Sequence, residues 1–251
     1  MTNGLNHTTF NRTHLVRILS EITPEAVDPK YDFGERLGQW LNFSDALLLF
    51  SALGAEAARP ALAPAAPATS AQEQLTRVRE TLTAAIQNDG VFSASTARLR
   101  FPTPLPQATA KEAADFSPYH RFYLAHQRDM SNAISALRSS ARKALGELSP
   151  AQRKLAQLDA SFENALLTRE RNLLANIPIL LARRFTQRYQ EHQATLAPGC
   201  IDDPAAWTSP GSWLEAFCHD TQAMLLAELD LRLKPASGLI AALGQELKTT
   251  P

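Results

Sequence analysis

Between residues 112 and 192 apolar side chains recur at steps of three and four along two long arms, with a turn at residues 146–150. That spacing confines the stretch to helix, because one helical face repeats about every 3.6 residues and one strand face every two. On the first arm the inward positions are Phe116, Tyr119, Tyr123, His126, Met130, Ile134, Leu137, Ala141, Ala144 and Leu148. On the second they are Leu155, Leu158, Phe162, Leu166, Arg169, Leu173, Ile177, Leu180 and Arg184. The turn has its own chemistry. Gly146 is placed to close the first arm in a left-handed conformation. Ser149 is placed to cap the second, with Pro150 at its first helical position and Gln152 completing a capping box. At ~1.5 Å per residue, arms of about 35 residues would each reach about 50 Å. A hairpin of that length extends beyond an ordinary core. Most of its face serves packing, and Phe122, beside the main stripe, is the position left for a partner.

The rest of the chain agrees with helix. It has 251 residues, is 45% apolar and only 7% aromatic, and no run of β-branched residues alternates as a strand would. The expected fold is all-α: a long antiparallel hairpin packed with a C-terminal helix, plus a small N-terminal helical module. A formal net charge of zero gives no general attraction to nucleic acid or to a membrane surface. The charge is nevertheless uneven. Residues 111–194 hold 13 basic and 8 acidic side chains, and residues 195–251 hold 3 and 7. Either the acidic C-terminal segment packs near the basic hairpin, or the two surfaces serve two partners. No run of ~18 apolar residues is present to span a membrane. The first ten residues lack the order of a signal peptide, and Cys200 with Cys218 makes no disulfide framework. A cytoplasmic location is expected.

Along the chain, Asp32 with Glu35, Ser70 with Glu73, Ser149 with Gln152 and Ser212 with Glu215 have capping-box spacing before apolar-periodic runs. Residues 1–53 read as a module of three short helices, around 15–22, 33–41 and 44–53. Such a module is too small to stand alone, so it docks on the rest of the chain or on another subunit. Residues 54–69, with Pro60, Pro64 and Pro67, form an Ala/Pro linker. The main domain spans 70–251. It opens with a helix at 71–88, and residues 98–101 then form a short strand or an extended strap. After the hairpin comes a final helix at 212–234, with Leu214, Phe217, Thr221, Leu225, Leu229 and Leu233 on one face. The pair Lys234–Pro235 interrupts it before a short terminal helix. Within the second arm, Pro178 removes a hydrogen bond and crowds the carbonyl of Leu174, so a kink is expected that curves the arm over the core.

No residue is assigned a catalytic, metal or cofactor role. His192, Cys200, Cys218 and His219 lack zinc-ligand spacing, and neither a nucleophile elbow nor a glycine-rich phosphate loop is present. Candidate partner anchors are Trp40, Phe43, Phe50 and Phe122, since aromatics dominate interface hot spots; the competing use for each is core packing. Candidate anion or nucleic-acid contacts are Arg169, Arg171, Arg183, Arg184 and Arg188. Glu170 and Glu191 dilute that cluster, and its competing use is salt bridges to the other arm or to the acidic C-terminal helix.

Four stretches carry a resemblance: DFGERLGQWLNFSDALLLFSAL at 32–53, DFSPYHRFYLAHQRDM at 115–130, LDASFENALLTRERNLLANIPILLARRF at 158–185 and MLLAELDLRLKPASGLIAAL at 224–243. Together they resemble a bacterial family known only as a domain of unknown function. The resemblance covers most of the chain outside the linker and carries over no catalytic residue. It implies genes lying near those for a flagellar-motor-like proton channel and an OmpA-type peptidoglycan-binding protein. A cytoplasmic accessory of an envelope complex or of a defence system would follow. From the residues themselves, the expected function is a non-enzymatic interaction or assembly protein with a protein partner or a second copy of itself. The alternative is a nucleic-acid-binding accessory that uses the Arg-rich arm.

Overall fold

The computed structural model describes residues 14–22, 43–54, 68–88, 98–105 and 107–249. The helices are α1 (His14–Ile22), α2 (Phe43–Gly54), α3 (Ala68–Gln87), α4 (Ala110–Ala113), α5 (Ser117–Gly146), α6 (Pro150–Leu174), α7 (Asn176–Thr195) and α8 (Trp213–Thr249), with a 3₁₀ turn at Pro204–Ala206. No strand occurs among the described residues, and the fold is all-α. The expected helix at 33–41, with its Asp32–Glu35 box, lies outside the described residues.

Cross-helix contacts fix the topology. Tyr123 reaches Glu228 and Arg232 reaches Ser131, so α5 and α8 run parallel. Gln222 of α8 bonds the carbonyl of Ile86 at the end of α3, and Ile240 meets Ser70 near its start, so α3 is antiparallel to both. Gln152 bonds the carbonyl of Ala242, while Arg184 and Arg188 meet Asp220, so α6 and α7 descend antiparallel to α8. The result is an up-and-down four-helix bundle whose third member is broken into α6 and α7. Outside it, α1 packs on α8 and α2 on α6.

The predicted stripe of α8, from Leu214 to Leu233, is buried throughout. Cys218, Met224, Ala227 and Glu228 are buried as well, which places this helix at the bundle centre rather than on a face. The expected interruption at Pro235 does not occur: α8 runs through it. A mid-helix proline costs about 3 kcal/mol. Continuing the helix buries Leu239, Ile240 and Leu243, at about 1.5–3 kcal/mol each, which outweighs that cost.

Three turn readings are corrected in detail. Ser149 does cap α6 and Pro150 does open it, but Gln152 does not close the box, because its amide instead donates to Ala242 of α8. Gly146 stays right-handed, and Glu147 ends α5 by donating to Ala144 and Leu145; the positive-φ glycines among the described residues are Gly199 and Gly211. Ser70 lies inside the first turn of α3, which begins two residues earlier at Ala68. In α5 the fully buried position near the turn is Leu145, with Ala144 only partly covered.

Pro178 breaks the second arm at Ala175, one turn ahead of itself. The carbonyl that would have accepted its missing N–H is that of Leu174. Gln127 of α5 supplies the substitute, its Nε2 donating to Leu174 O at 3.2 Å. Asn176 Nδ2 donates to the carbonyls of Asn172 and Leu173 in the same turn. Gln127→Leu is expected to destabilise the protein by about 1–3 kcal/mol, the cost of a buried acceptor left without a donor. Urea unfolding checks the magnitude, and faster amide exchange around residues 175–179 checks the location.

Candidate interaction surface

The second helix is the element whose sequence and burial disagree. Its twelve residues, FSDALLLFSALG, include one charge, Asp45. A helix apolar around its whole circumference belongs in an interior. α2 lies along α6 with Leu49 buried, yet Phe43, Leu47 and Phe50 are 85%, 57% and 73% exposed. At spacings of four and three they share one face. The helix it packs on, α6, also exposes Leu167 and Leu173. Phe43 and Phe50 are two of the candidate anchors, and Leu47 joins them on this face. Trp40 lies outside the described residues.

Phe122 is not available to a partner. It is 5% exposed, edge-on to Phe101 at 5.4 Å and to His126 at 4.6 Å. Phe101 explains the difference. Residues 98–101 form a strap rather than a strand, and its phenylalanine inserts among Tyr119, Phe122 and Phe217. Phe116, Phe185 and Trp213 extend this cluster across α5, α7 and α8. Burial raises the Tyr119 hydroxyl well above its ordinary range.

The Arg-rich arm is divided between two uses. Arg184 Nε and Arg188 Nη2 lie 3.0 and 2.7 Å from Asp220 of α8, all three partly buried. The acidic C-terminal helix thus packs on the basic arm at this point. Arg169, Arg171 and Arg183 are exposed, the first two on α6 and the third on α7 beyond the break. Between the hairpin arms, Arg138 grips Asp159 with Nε and Nη2 at 2.8 and 2.6 Å, and Arg142 bridges Asp159 and Glu163. Burial pulls the Arg138 guanidinium down, but the Asp159 hydrogen bonds and the charges of Asp159 and Glu163 hold it above its ordinary value. These bidentate pairs fix the register of the hairpin.

A polar cluster absent from the sequence reading sits at the bundle centre. Glu228 is fully buried. It accepts from Tyr123 Oη at 2.9 Å, Gln127 Nε2 at 3.0 Å and Arg232 Nε at 2.7 Å. Arg232 also lies 3.5 Å from Glu170. Burial, then the charge of Glu228, raises the Tyr123 phenol well above its usual value, so it remains a donor. The cluster ties α5, α8 and the end of α6 at one level. Near the other end of α7, Asp202 accepts from His192 at 2.9 Å and Trp207 at 2.7 Å. Cys200 is exposed and Cys218 buried. Among the described residues no group of three His, Cys, Asp or Glu is placed to hold a metal ion, and no helix is long and apolar enough to cross a membrane.

Fold and surface together define a class: a helical-bundle protein with a buried carboxylate at its centre and an apolar helix exposed on its flank. More particularly, the chain belongs to the family described as protein of unknown function (DUF3348), which matches residues 1–245. No curated protein and no solved structure matches the chain.

Proposed function

We propose that this chain is a non-enzymatic interaction protein whose second helix holds a helical segment of a protein partner. One observation carries the reading: Phe43, Leu47 and Phe50 share an outward face of an almost uncharged helix. Anchors spaced by four and three residues match one face of an apolar partner helix. Covering each is worth about 1.5–3 kcal/mol, while association costs about 4–15 kcal/mol in lost freedom. Three anchors alone therefore give weak binding, and a stable complex also covers further exposed apolar positions, for which Leu167 and Leu173 of α6 are candidates. On this reading the protein works in the cytoplasm as an accessory of an envelope proton-channel-like complex or a defence system, as its family resemblance implies. The second reading, nucleic-acid binding, would rest on Arg169, Arg171 and Arg183, because Arg184 and Arg188 are engaged with Asp220.

The test compares the full chain with its Phe43→Asp/Phe50→Asp variant as bait in extracts of the source cells at two salt concentrations. A protein recovered by the wild type is then purified and titrated against both. Loss of two apolar anchors is expected to weaken binding at least about tenfold, with little salt dependence and an unchanged helical circular-dichroism spectrum. Equal binding to both baits contradicts the proposal. So does recovery of nucleic acid alone that disappears at high salt, which would favour the arginine arm.

A further inference from the structure

The strap that Phe101 pins to the bundle borders a cavity of about 650 Å³ at the start of α5. The strap contributes Pro102, Pro104 and Leu105 to the wall, α4 contributes Glu112 and Ala113, and α5 contributes Pro118 and Tyr119, with Asp115 between the two helices. Most of this wall is apolar. Its size and lining match small-molecule sites, which run to roughly 300–1,000 Å³ and set a few convergent polar groups in an apolar wall. Among the described residues the wall has no lysine, arginine or histidine.

Tyr119 is buried in that wall without a polar partner. It is 4% exposed and packed against Phe101, Phe185 and Phe217, yet its hydroxyl makes no hydrogen bond. A buried phenol ordinarily finds one. Tyr123, one turn further on, does, donating to Glu228 at 2.9 Å. The Tyr119 hydroxyl is not sealed off either. From the first turn of α5 its ring leans back toward the helix N-terminus, and the hydroxyl opens onto the cavity. Burial, and then the charges of Cys218 and Asp115, raise this phenol well above its ordinary value, so it stays protonated and can both donate and accept. The two carboxylates of the wall are half used. Asp115 Oδ1 accepts from the Ser117 N–H at 2.9 Å and hydroxyl at 2.8 Å, and Glu112 Oε2 accepts from the same groups of Thr109 at 2.9 and 2.8 Å. Asp115 Oδ2 and Glu112 Oε1 accept nothing, and neither carboxylate has a salt bridge. The bonds from backbone and hydroxyl hold both below the usual carboxylate range, so both are anionic at neutral pH.

We infer that this cavity binds a small organic amine, a cationic ammonium carried on an apolar body. The body lies on the proline rings and Leu105, where apolar surface leaves water. A polar N–H or O–H on that body meets the Tyr119 hydroxyl, which has no competing partner in the protein. The ammonium meets Asp115 Oδ2 and Glu112 Oε1, the two acceptors that the helix starts leave unused. Charge selects the class of ligand: two anions and no cation on one wall repel phosphates, carboxylates and nucleic acid. Because the carboxylates are exposed, each contributes modestly, and the apolar body with the buried hydroxyl supplies the rest. This site is independent of the docking role of α2, which packs on α6.

The test titrates the full chain with three probes that share an indole body and differ in charge: tryptamine, neutral tryptophol and anionic indole-3-propionate. Calorimetry and ligand-observed NMR follow binding. Saturable binding of tryptamine is expected, about fivefold tighter than tryptophol, the worth of an exposed ion pair, with indole-3-propionate weakest. Asp115→Asn with Glu112→Gln keeps an oxygen for each helix start and removes both charges. It should abolish the preference for tryptamine and leave tryptophol binding as it was. Tyr119→Phe keeps the ring in its aromatic cluster. It should weaken tryptamine and tryptophol alike by about fivefold, one hydrogen bond, without lowering the ligand-free Tm, a combination that a purely structural tyrosine would not give. Glu21→Gln, an equal change of charge on exposed α1 outside the cavity, should leave all three unchanged. The inference is overturned by no saturable binding of tryptamine or by equal affinity for the three probes. Tryptamine binding that survives undiminished in both Tyr119→Phe and the double carboxylate variant overturns it as well.

Discussion

Glu228→Ala is expected to cost about 3–5 kcal/mol, a large part of the stability of a domain this size. The carboxylate is fully buried and accepts from Tyr123, Gln127 and Arg232. Removing it leaves a phenol, an amide and a guanidinium without their shared acceptor in a site that water does not reach, and it is these orphaned donors that set the penalty. Arg232 keeps only its longer contacts to Glu170 and to the Ser131 hydroxyl. Glu228→Gln retains an acceptor for Tyr123 while losing the charge, and should cost less, about 1–3 kcal/mol. Replacing Glu228 and Arg232 together with leucine should cost less than the sum of the single changes, since no buried charge is stranded. Urea unfolding of the wild type, Glu228→Ala, Glu228→Gln, the two single leucine variants and the double variant checks the series. A loss under about 1 kcal/mol for Glu228→Ala would mean that the cluster is hydrated rather than sealed.

The second large effect is expected at Phe217. Its ring lies 5.2 Å from Phe185, 5.7 Å from Tyr119 and 6.3 Å from both Phe101 and Phe116. Phe217→Ala should cost about 3–5 kcal/mol, the range for emptying a well-packed aromatic site. The strap at 98–105 is held against the bundle through Phe101, so the same change should expose it to proteolysis under conditions where the wild type resists. Phe217→Leu fills part of the space and should restore most of the strap's protection. Equal digestion of wild type and Phe217→Ala would separate the strap from the aromatic cluster.

These two sites mark where sequence reading succeeds and where it stops. Phe217 was legible because it falls in a stripe of period 3.6 with Leu214, Thr221 and Leu225, and every member of that stripe is buried. Period reports which side of a helix faces inward. It does not report how many sides do, so Cys218, Met224 and Glu228 were invisible. A glutamate between Ala227 and Leu229 reads as a solvent position until α5 supplies Tyr123 and Gln127 from about a hundred residues away. The two prolines show the same limit from the other direction. Both carry the same local cost. Pro178 breaks its helix, and Gln127 caps the carbonyl it frees; Pro235 does not, because the apolar positions beyond it must stay in the centre of the bundle. Tertiary packing decided each case.

For the candidate surface, Phe43 and Phe50 stood out as aromatics in a nearly uncharged run, and exposure alone separates them from Phe122, which composition could not do. The arginine arm divided for a similar reason. Arg184 and Arg188 differ from Arg169, Arg171 and Arg183 only in what faces them, and Asp220 faces the first two from another helix.

The measurement that bears most directly on the docking role is crosslinking in the source cells, with a photoreactive phenylalanine analogue replacing Leu47 on α2. A control carries the same analogue at Ile201, an exposed apolar position in the loop before α8. The account predicts one discrete crosslinked protein from position 47, absent from position 201 and lost when Phe43→Asp is added. No crosslink at 47, or the same products from both positions, would contradict it.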